Sequence, residues 1–227
     1  GPSERQVFDL FEPKGTSKGL MIFVHGGYWM RFDKSMWSHL ATGGVSAGYT
    51  VAMPSYTLCP ETSISKITLE VGQAITKIAS MVEGPIYLSG HSAGGHLVSR
   101  MICRDTPLAP PVLDRIINVI SISGVHDLRP LVETTEINSS LHLDMDEACA
   151  ESPALLLPIP EIKGSFTCWV GADERPEFVR QNALLANVWT GYGIPTICVE
   201  EANRHHFDII EGLMDTEHGL MKALLKR

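Results

Sequence analysis

Gly90-His91-Ser92-Ala93-Gly94 is the stretch that most restricts what this chain can fold into. It follows an apolar run, Ile86 to Leu88, and precedes residues of helical period, Leu97, Val98, Met101 and Ile102. A G-x-S-x-G run between a strand and a helix is a nucleophile elbow, a turn tight enough to lift the serine Oγ above the end of a sheet. Glycines flank the serine because neighbouring chain passes where a Cβ would stand. A helix opening at Ala93 turns its free N–H groups and positive dipole end toward an oxygen on which charge develops. Ser92 is therefore expected to be the nucleophile of a serine hydrolase.

Such an elbow needs a sheet around it, and the rest of the chain supplies one. Leu20 to Val24, Thr50 to Met53, Pro85 to Ser89, Ile116 to Ser123, Ser165 to Val170 and Pro195 to Glu200 read as strands. Several are apolar throughout, as strands covered on both faces are. Helix-period stretches alternate with them: Trp37, Leu40, Ala41 and Val45 share one face, and Ile67, Val71, Ala74, Ile78 and Val82 share another. Further helices are expected from Ala93, from near Pro176, and from about Phe207 to the C-terminus. The alternation predicts an α/β fold with a mostly parallel central sheet and helices on both faces. Val7 to Phe11 reads as an added antiparallel edge strand. Residues 1–227 are expected to form one domain, and the irregular segment 128–160 reads as a small cap, too short for a second domain.

Charge and cysteine usage exclude several functions. The formal net charge is −8 and no cluster of Lys or Arg appears, which argues against nucleic acid and anionic membranes as partners. No run approaches the ~18–20 apolar residues of a membrane helix. No basic segment followed by an apolar one opens the chain, so no signal peptide is expected, and Gly1-Pro2 reads as the remnant of a cleaved tag. The five cysteines are scattered without a CxxC pair, so neither a zinc knuckle nor a disulfide framework is expected. Cys168 and Cys198 lie in apolar runs and read as small core residues. A cytoplasmic location follows as the default.

Two further segments carry chemistry. His25-Gly26-Gly27-Tyr28-Trp29 follows the strand ending at Val24. An H-G-G-type loop upstream of the elbow supplies oxyanion-hole N–H groups, so Gly27 and Tyr28 are expected to join Ala93 in that role, with His25 tying down the loop. Tyr28 and Trp29 are candidates to wall the substrate pocket. The general base comes last in this chain order. His206 is preferred because it sits where a loop meets the last helix, with His205 as runner-up. A metal site from His205, His206 and Asp208 is disfavoured, since no other spacing completes a ligand set. For the acid, the loop after the strand Ser165 to Val170 offers Asp173 and Glu174. The G-x-x-acid spacing falls on Glu174, aspartate is the commoner acid, and Asp127 is a third option.

Together, His-Gly-Gly-Tyr-Trp at 25–29, Gly-His-Ser-Ala-Gly-Gly-His-Leu at 90–97, Pro-Glu-Phe at 176–178 and His-Phe-Asp-Ile-Ile-Glu at 206–211 resemble the kynurenine formamidase (arylformamidase) branch of the α/β hydrolases. Ser-Tyr-Thr-Leu-Cys-Pro-Glu at 55–61 is similar to a stretch of related carboxylesterases. The resemblance implies hydrolysis of N-formylkynurenine to kynurenine and formate without a metal or other cofactor. It places the serine at Ser92 and the histidine at His206. The family's aspartate, two residues before Pro-Glu-Phe, falls on Glu174, a departure from the pattern. The expected partner is a small aryl amide or ester, with a short-chain carboxylesterase as the alternative activity and association as a homodimer left open.

Overall fold

The computed structural model describes residues 1–160 and 164–226. Seven strands form one sheet: β1 (Phe8–Phe11), β2 (Leu20–Val24), β3 (Thr50–Pro54), β4 (Ile86–His91), β5 (Ile116–Ile122), β6 (Phe166–Gly171) and β7 (Thr196–Glu201). Their order across the sheet is β1-β3-β2-β4-β5-β6-β7. β1 runs antiparallel to β3, and the other five pairings are parallel. β4, which ends one residue before Ser92, is central, with β2 on one side and β5 on the other.

The helices are α1 (Ala41–Ser46), α2 (Ile64–Ala79), α3 (Ala93–Arg100), α4 (Pro110–Leu113), α5 (Arg129–Val132), α6 (Thr135–Leu141), α7 (Met145–Ala150), α8 (Pro176–Gly191) and α9 (Gly219–Leu225). Strand residues alternate between two cores, as the two-residue period of a strand requires. Leu20, Ile22 and Val24 of β2 pack with α2, α3 and α8. Met21 and Phe23 pack on the other face with α1, α9 and the 3-10 turn Ile209–Met214. Burial on both faces explains why the strands read as unbroken apolar runs.

Three expectations about local structure change. The first helix is split, a 3-10 segment Lys34–Leu40 leading into α1. The last helix is also broken, into the 3-10 turn Ile209–Met214 and α9. Between them Asp215 accepts from Glu217 N at 2.8 Å, and the His218 ring accepts from Leu220 N at 3.1 Å. These local bonds end one segment and cap the next, since short polar side chains compete with the helical ladder. Cys198 is exposed rather than a core residue, because β7 is the edge strand.

The segment 128–160 is more regular than its sequence suggests. It contains α5, α6, α7 and the 3-10 turn Pro153–Leu155. Its second half is pinned to the body of the protein. Glu151 Oε2 accepts from Thr68 Oγ1 at 2.7 Å and from Arg100 Nε at 3.0 Å. Glu147 accepts from Ser65 Oγ at 2.7 Å, and within the segment Ser152 Oγ accepts from Leu128 N at 2.8 Å. No helix among the described residues is long and apolar enough to cross a membrane.

Candidate active site

Ser92 stands alone at the joint of β4 and α3, with φ 55° and ψ −116°. A non-glycine residue held there is strained by about 1–3 kcal/mol, and the surrounding chain must over-determine it. Here Ser92 N donates to Ile122 O at 2.8 Å and Ser92 O accepts from His96 N at 3.1 Å. The glycines are required by close approach. A Cβ on Gly94 would collide with the Val24 carbonyl. One on Gly26 would stand 2.9 Å from Ser92 Cβ and 2.7 Å from the His91 carbonyl, so the loop after β2 lies directly against the elbow.

That loop is held in an unusual backbone conformation, with φ of 112° at Gly27, 48° at Tyr28 and 57° at Trp29. Among the described residues, the N–H groups of Gly27, Tyr28 and Ala93 donate to no backbone acceptor. His25 anchors the loop from beneath. Its ring stacks on Tyr56 at 4.4 Å, its Nδ1 donates to Gly26 O at 2.8 Å, and its carbonyl accepts from Tyr56 Oη at 2.9 Å. Burial lowers the His25 pKa to about 4 and keeps the ring neutral.

Trp29 is not a pocket wall. Its side chain is fully buried in the core, where Nε1 donates to His96 Nδ1 at 3.3 Å. The left-handed backbone at Trp29 turns the indole away from the cleft, while Tyr28 stays partly exposed and lines it.

His206 and Glu174 are brought together. His206 Nδ1 donates to Glu174 Oε2 at 2.6 Å. The other oxygen, Oε1, accepts from Ser123 Oγ at 2.5 Å and from Gly171 N at 2.9 Å. The Glu174 side chain has no exposed surface, and these donors satisfy it. The turn decides which of the two adjacent acids points inward. Asp173 N donates to Arg204 O at 3.0 Å and Glu174 N to Gly171 O at 3.2 Å, leaving Asp173 exposed. Asp127 lies elsewhere, in a bidentate pair with Arg129 at 2.9 Å. His205 is exposed and bonded within its own turn to Phe207 N and Asp208 N. Among the described residues no group of three or more His, Cys, Asp or Glu side chains is placed to hold a metal.

Packing holds the His206 ring in place. Phe178 lies 4.1 Å away, His91 4.5 Å and Phe207 5.5 Å, between ring centroids. His91 Nε2 donates to the His206 carbonyl at 2.8 Å. Burial, reinforced by the nearby His206, lowers the His91 pKa to about 3, so His91 is a neutral prop. The sequence assigns no role to Ser123, His91 or Phe178, although His91 and Phe178 lie within the motifs at 90–97 and 176–178. The one available signal was position, since Ser123 directly follows β5 and His91 occupies the variable place of the elbow motif.

Two clefts meet at this histidine and share Tyr28, His206 and Phe207. The smaller, about 360 Å³, is lined by Ser92, Gly27, His91, Met30, Phe32 and Ile137 among others. Ser92 and His206 both line it, with no hydrogen bond between Oγ and the imidazole. Such bonds often close only once substrate binds. The larger cleft, about 480 Å³, is lined by Asp173, Glu174, Arg175, Phe178 and His205. Burial raises the Tyr28 phenol pKa, and the neighbouring Arg175 guanidinium partly opposes that rise.

Comparison with known proteins places this geometry in a family. The BD-FAE family model, an α/β-hydrolase family, matches residues 8–156. The chain is 28% identical to kynurenine formamidase from Danio rerio, over 100% of this chain and 79% of that protein. A crystal structure from Silicibacter sp. tm1040, provisionally described as a thioesterase, superposes with a TM-score of 0.93 at 48% identity. That match covers 99% of this chain and 82% of the other. Esterase B from Lactobacillus rhamnosis superposes with a TM-score of 0.74 at 16% identity, over 97% of this chain and 78% of the other, a likeness of fold alone. The architecture is the α/β-hydrolase fold.

Proposed function

The chain belongs to the BD-FAE family, and from that premise we propose that it is a metal-independent serine hydrolase of small aryl formamides, with N-formyl-L-kynurenine as leading substrate. One observation carries this reading: the Glu174-bound imidazole of His206 lines the same cleft as Ser92. The likeness to kynurenine formamidase supports the choice of substrate.

In this reading Glu174 accepts the Nδ1 proton, which leaves the Nε2 lone pair of His206 free to act as base. Ser92 Oγ attacks the formyl carbon as its proton passes to Nε2. The N–H groups of Gly27, Tyr28 and Ala93 receive the oxyanion, each worth roughly 3 kcal/mol of transition-state stabilisation. The C–N bond then breaks as His206 returns the proton to the aniline nitrogen. Water, deprotonated by His206, attacks formyl-Ser92 and releases formate. The five free cysteines fit a cytoplasmic setting.

A second reading, a short-chain carboxylesterase with the same machinery, is favoured by one observation. The cleft of about 360 Å³ beside Ser92 is larger than a formyl group needs. Formate release from N-formyl-L-kynurenine, compared with hydrolysis of p-nitrophenyl acetate and butyrate, separates the two. A wide preference for formyl is expected, and flat ester rates without formate release would move the assignment to the esterase. Ser92→Ala should abolish turnover and labelling by a fluorophosphonate.

A further inference from the structure

The larger cleft carries charged groups that the hydrolytic steps do not use. Among the described arginines, Arg31 and Arg175 alone have a guanidinium with no hydrogen-bond or ion-pair partner, and each lines one of the two clefts. The others are engaged, Arg100 with Glu151, Arg129 with Asp127, Arg180 with Glu177 and Arg204 with Glu201, and Arg5, Arg104 and Arg115 with backbone carbonyls. In a chain of net charge −8, a guanidinium left unpaired beside a reaction centre is available to an anion from outside. Asp173 lines the same cleft as Arg175, is exposed, and has an unbonded carboxylate.

The chemistry decides which part of a substrate reaches this cleft. In the tetrahedral intermediate the leaving atom must point at the histidine that protonates it, and the acyl substituent points away. His206 lines both clefts, and the larger one, walled by Glu174 and not by Ser92, opens on its far side, so the leaving group extends there. Tyr28, Phe178 and Phe207 offer aromatic surface, and Phe207 is 69% exposed. The N-terminus of the 16-residue α8 opens directly after Arg175, adding positive potential. Glu177 in its first turn is paired with Arg180 at 2.7 Å and accepts a hydrogen bond from Gln181 Nε2.

We propose that Arg175 and Asp173 form a subsite for a zwitterionic amino-acid tail on the leaving aryl group, the tail carboxylate on Arg175 and its ammonium on Asp173. The ring then lies against Tyr28 and Phe207. This subsite rests on the formamidase reading above and specifies how that substrate class is recognised.

The test is the ratio of kcat/KM for N-formyl-L-kynurenine to that for 2-formamidoacetophenone, the same aryl formamide without an amino-acid tail. The ratio is measured for the unmodified protein, Arg175→Gln, Arg175→Lys, Asp173→Asn and Arg31→Gln. The unmodified protein is expected to favour the tailed substrate at least ten-fold, through KM. Arg175→Gln should lower that ratio about ten-fold, as loss of one charge-assisted contact does, and Arg175→Lys should recover part of it. Asp173→Asn, in an exposed loop, should lower the same ratio and serves if Arg175→Gln does not fold. Formate release with an unchanged ratio in both variants would overturn the subsite and leave the formamidase reading standing. A ratio that collapses in Arg31→Gln instead would put the tail on the Ser92 side and also overturn it. Hydrolysis of p-nitrophenyl acetate with no formate from either formamide would bring down both.

Discussion

Trp29 Nε1 donates to His96 Nδ1 across 3.3 Å in the core, and His96 Nε2 donates to the Glu151 carbonyl at 2.6 Å. One neutral imidazole thus joins the loop after β2, the helix that follows Ser92 and the segment 128–160. Because the indole can only donate and the carbonyl can only accept, the tautomer is fixed with the proton on Nε2.

His96→Leu would strand the Trp29 N–H and the Glu151 carbonyl in the core, each at a cost of about 1–3 kcal/mol. The expected result is a lower urea midpoint together with a lower kcat, because the loop carrying Gly27 and Tyr28 loses its tether. A midpoint within error of the unmodified protein would rule out this bracing role.

The pair Glu174 and His206 makes a prediction that separates neighbouring acids. On p-nitrophenyl acetate, Glu174→Gln should lower kcat by about 10³–10⁴, the scale seen when a triad acid loses its charge. Asp173→Asn should lower it far less, and Ser123→Ala should fall between them, since Gly171 N–H still holds one carboxylate oxygen. The reverse order for the two acids would move the assignment to Asp173.

Arg100 and Glu151 form an ion pair with side-chain exposures of 4% and 6%. Arg100→Met should destabilise the protein by about 3–5 kcal/mol, because it leaves the Glu151 carboxylate buried with only Thr68. Asp105, the outer partner of the same arginine, is 55% exposed, and Asp105→Asn should cost at most about 1 kcal/mol. Chemical denaturation of the two variants side by side measures the contrast.

Four buried histidines predict the response to acid. Burial is the main cause that lowers His25 to about 4 and His91, His96 and His126 to about 3. Unfolded, each takes up a proton near pH 6.5, whereas folded it does not until pH 3–4. Their stabilisation is therefore complete above pH 6.5 and is lost as pH falls toward the folded values. The loss is about 1.4 kcal/mol per pH unit for each histidine, or roughly 5 for four. Against a total of about 5–15 kcal/mol, cooperative unfolding is expected about one to three units below pH 6.5. A urea midpoint that stays flat from pH 7 to pH 5 would contradict this.

The sequence by itself determined the parts that local chemistry controls. The elbow at 90–94, the apolar strands around it and the glycine loop at 25–29 were legible because turn geometry and side-chain period are written in neighbouring residues. Tertiary structure decided the rest. Glu174 turns inward and Asp173 outward because Arg204, about thirty residues along the chain, fixes the turn through its carbonyl. Ser123 reaches Glu174 because β5 and β6 pair side by side. Trp29 sits in the core rather than the pocket because His96 and the packed helix behind it offer its N–H a buried partner. Cys198 faces solvent because β7 is the sheet's edge, a place set by strand order and not marked by anything within its own strand. In each case the deciding contact comes from residues distant in the chain, which no local pattern encodes.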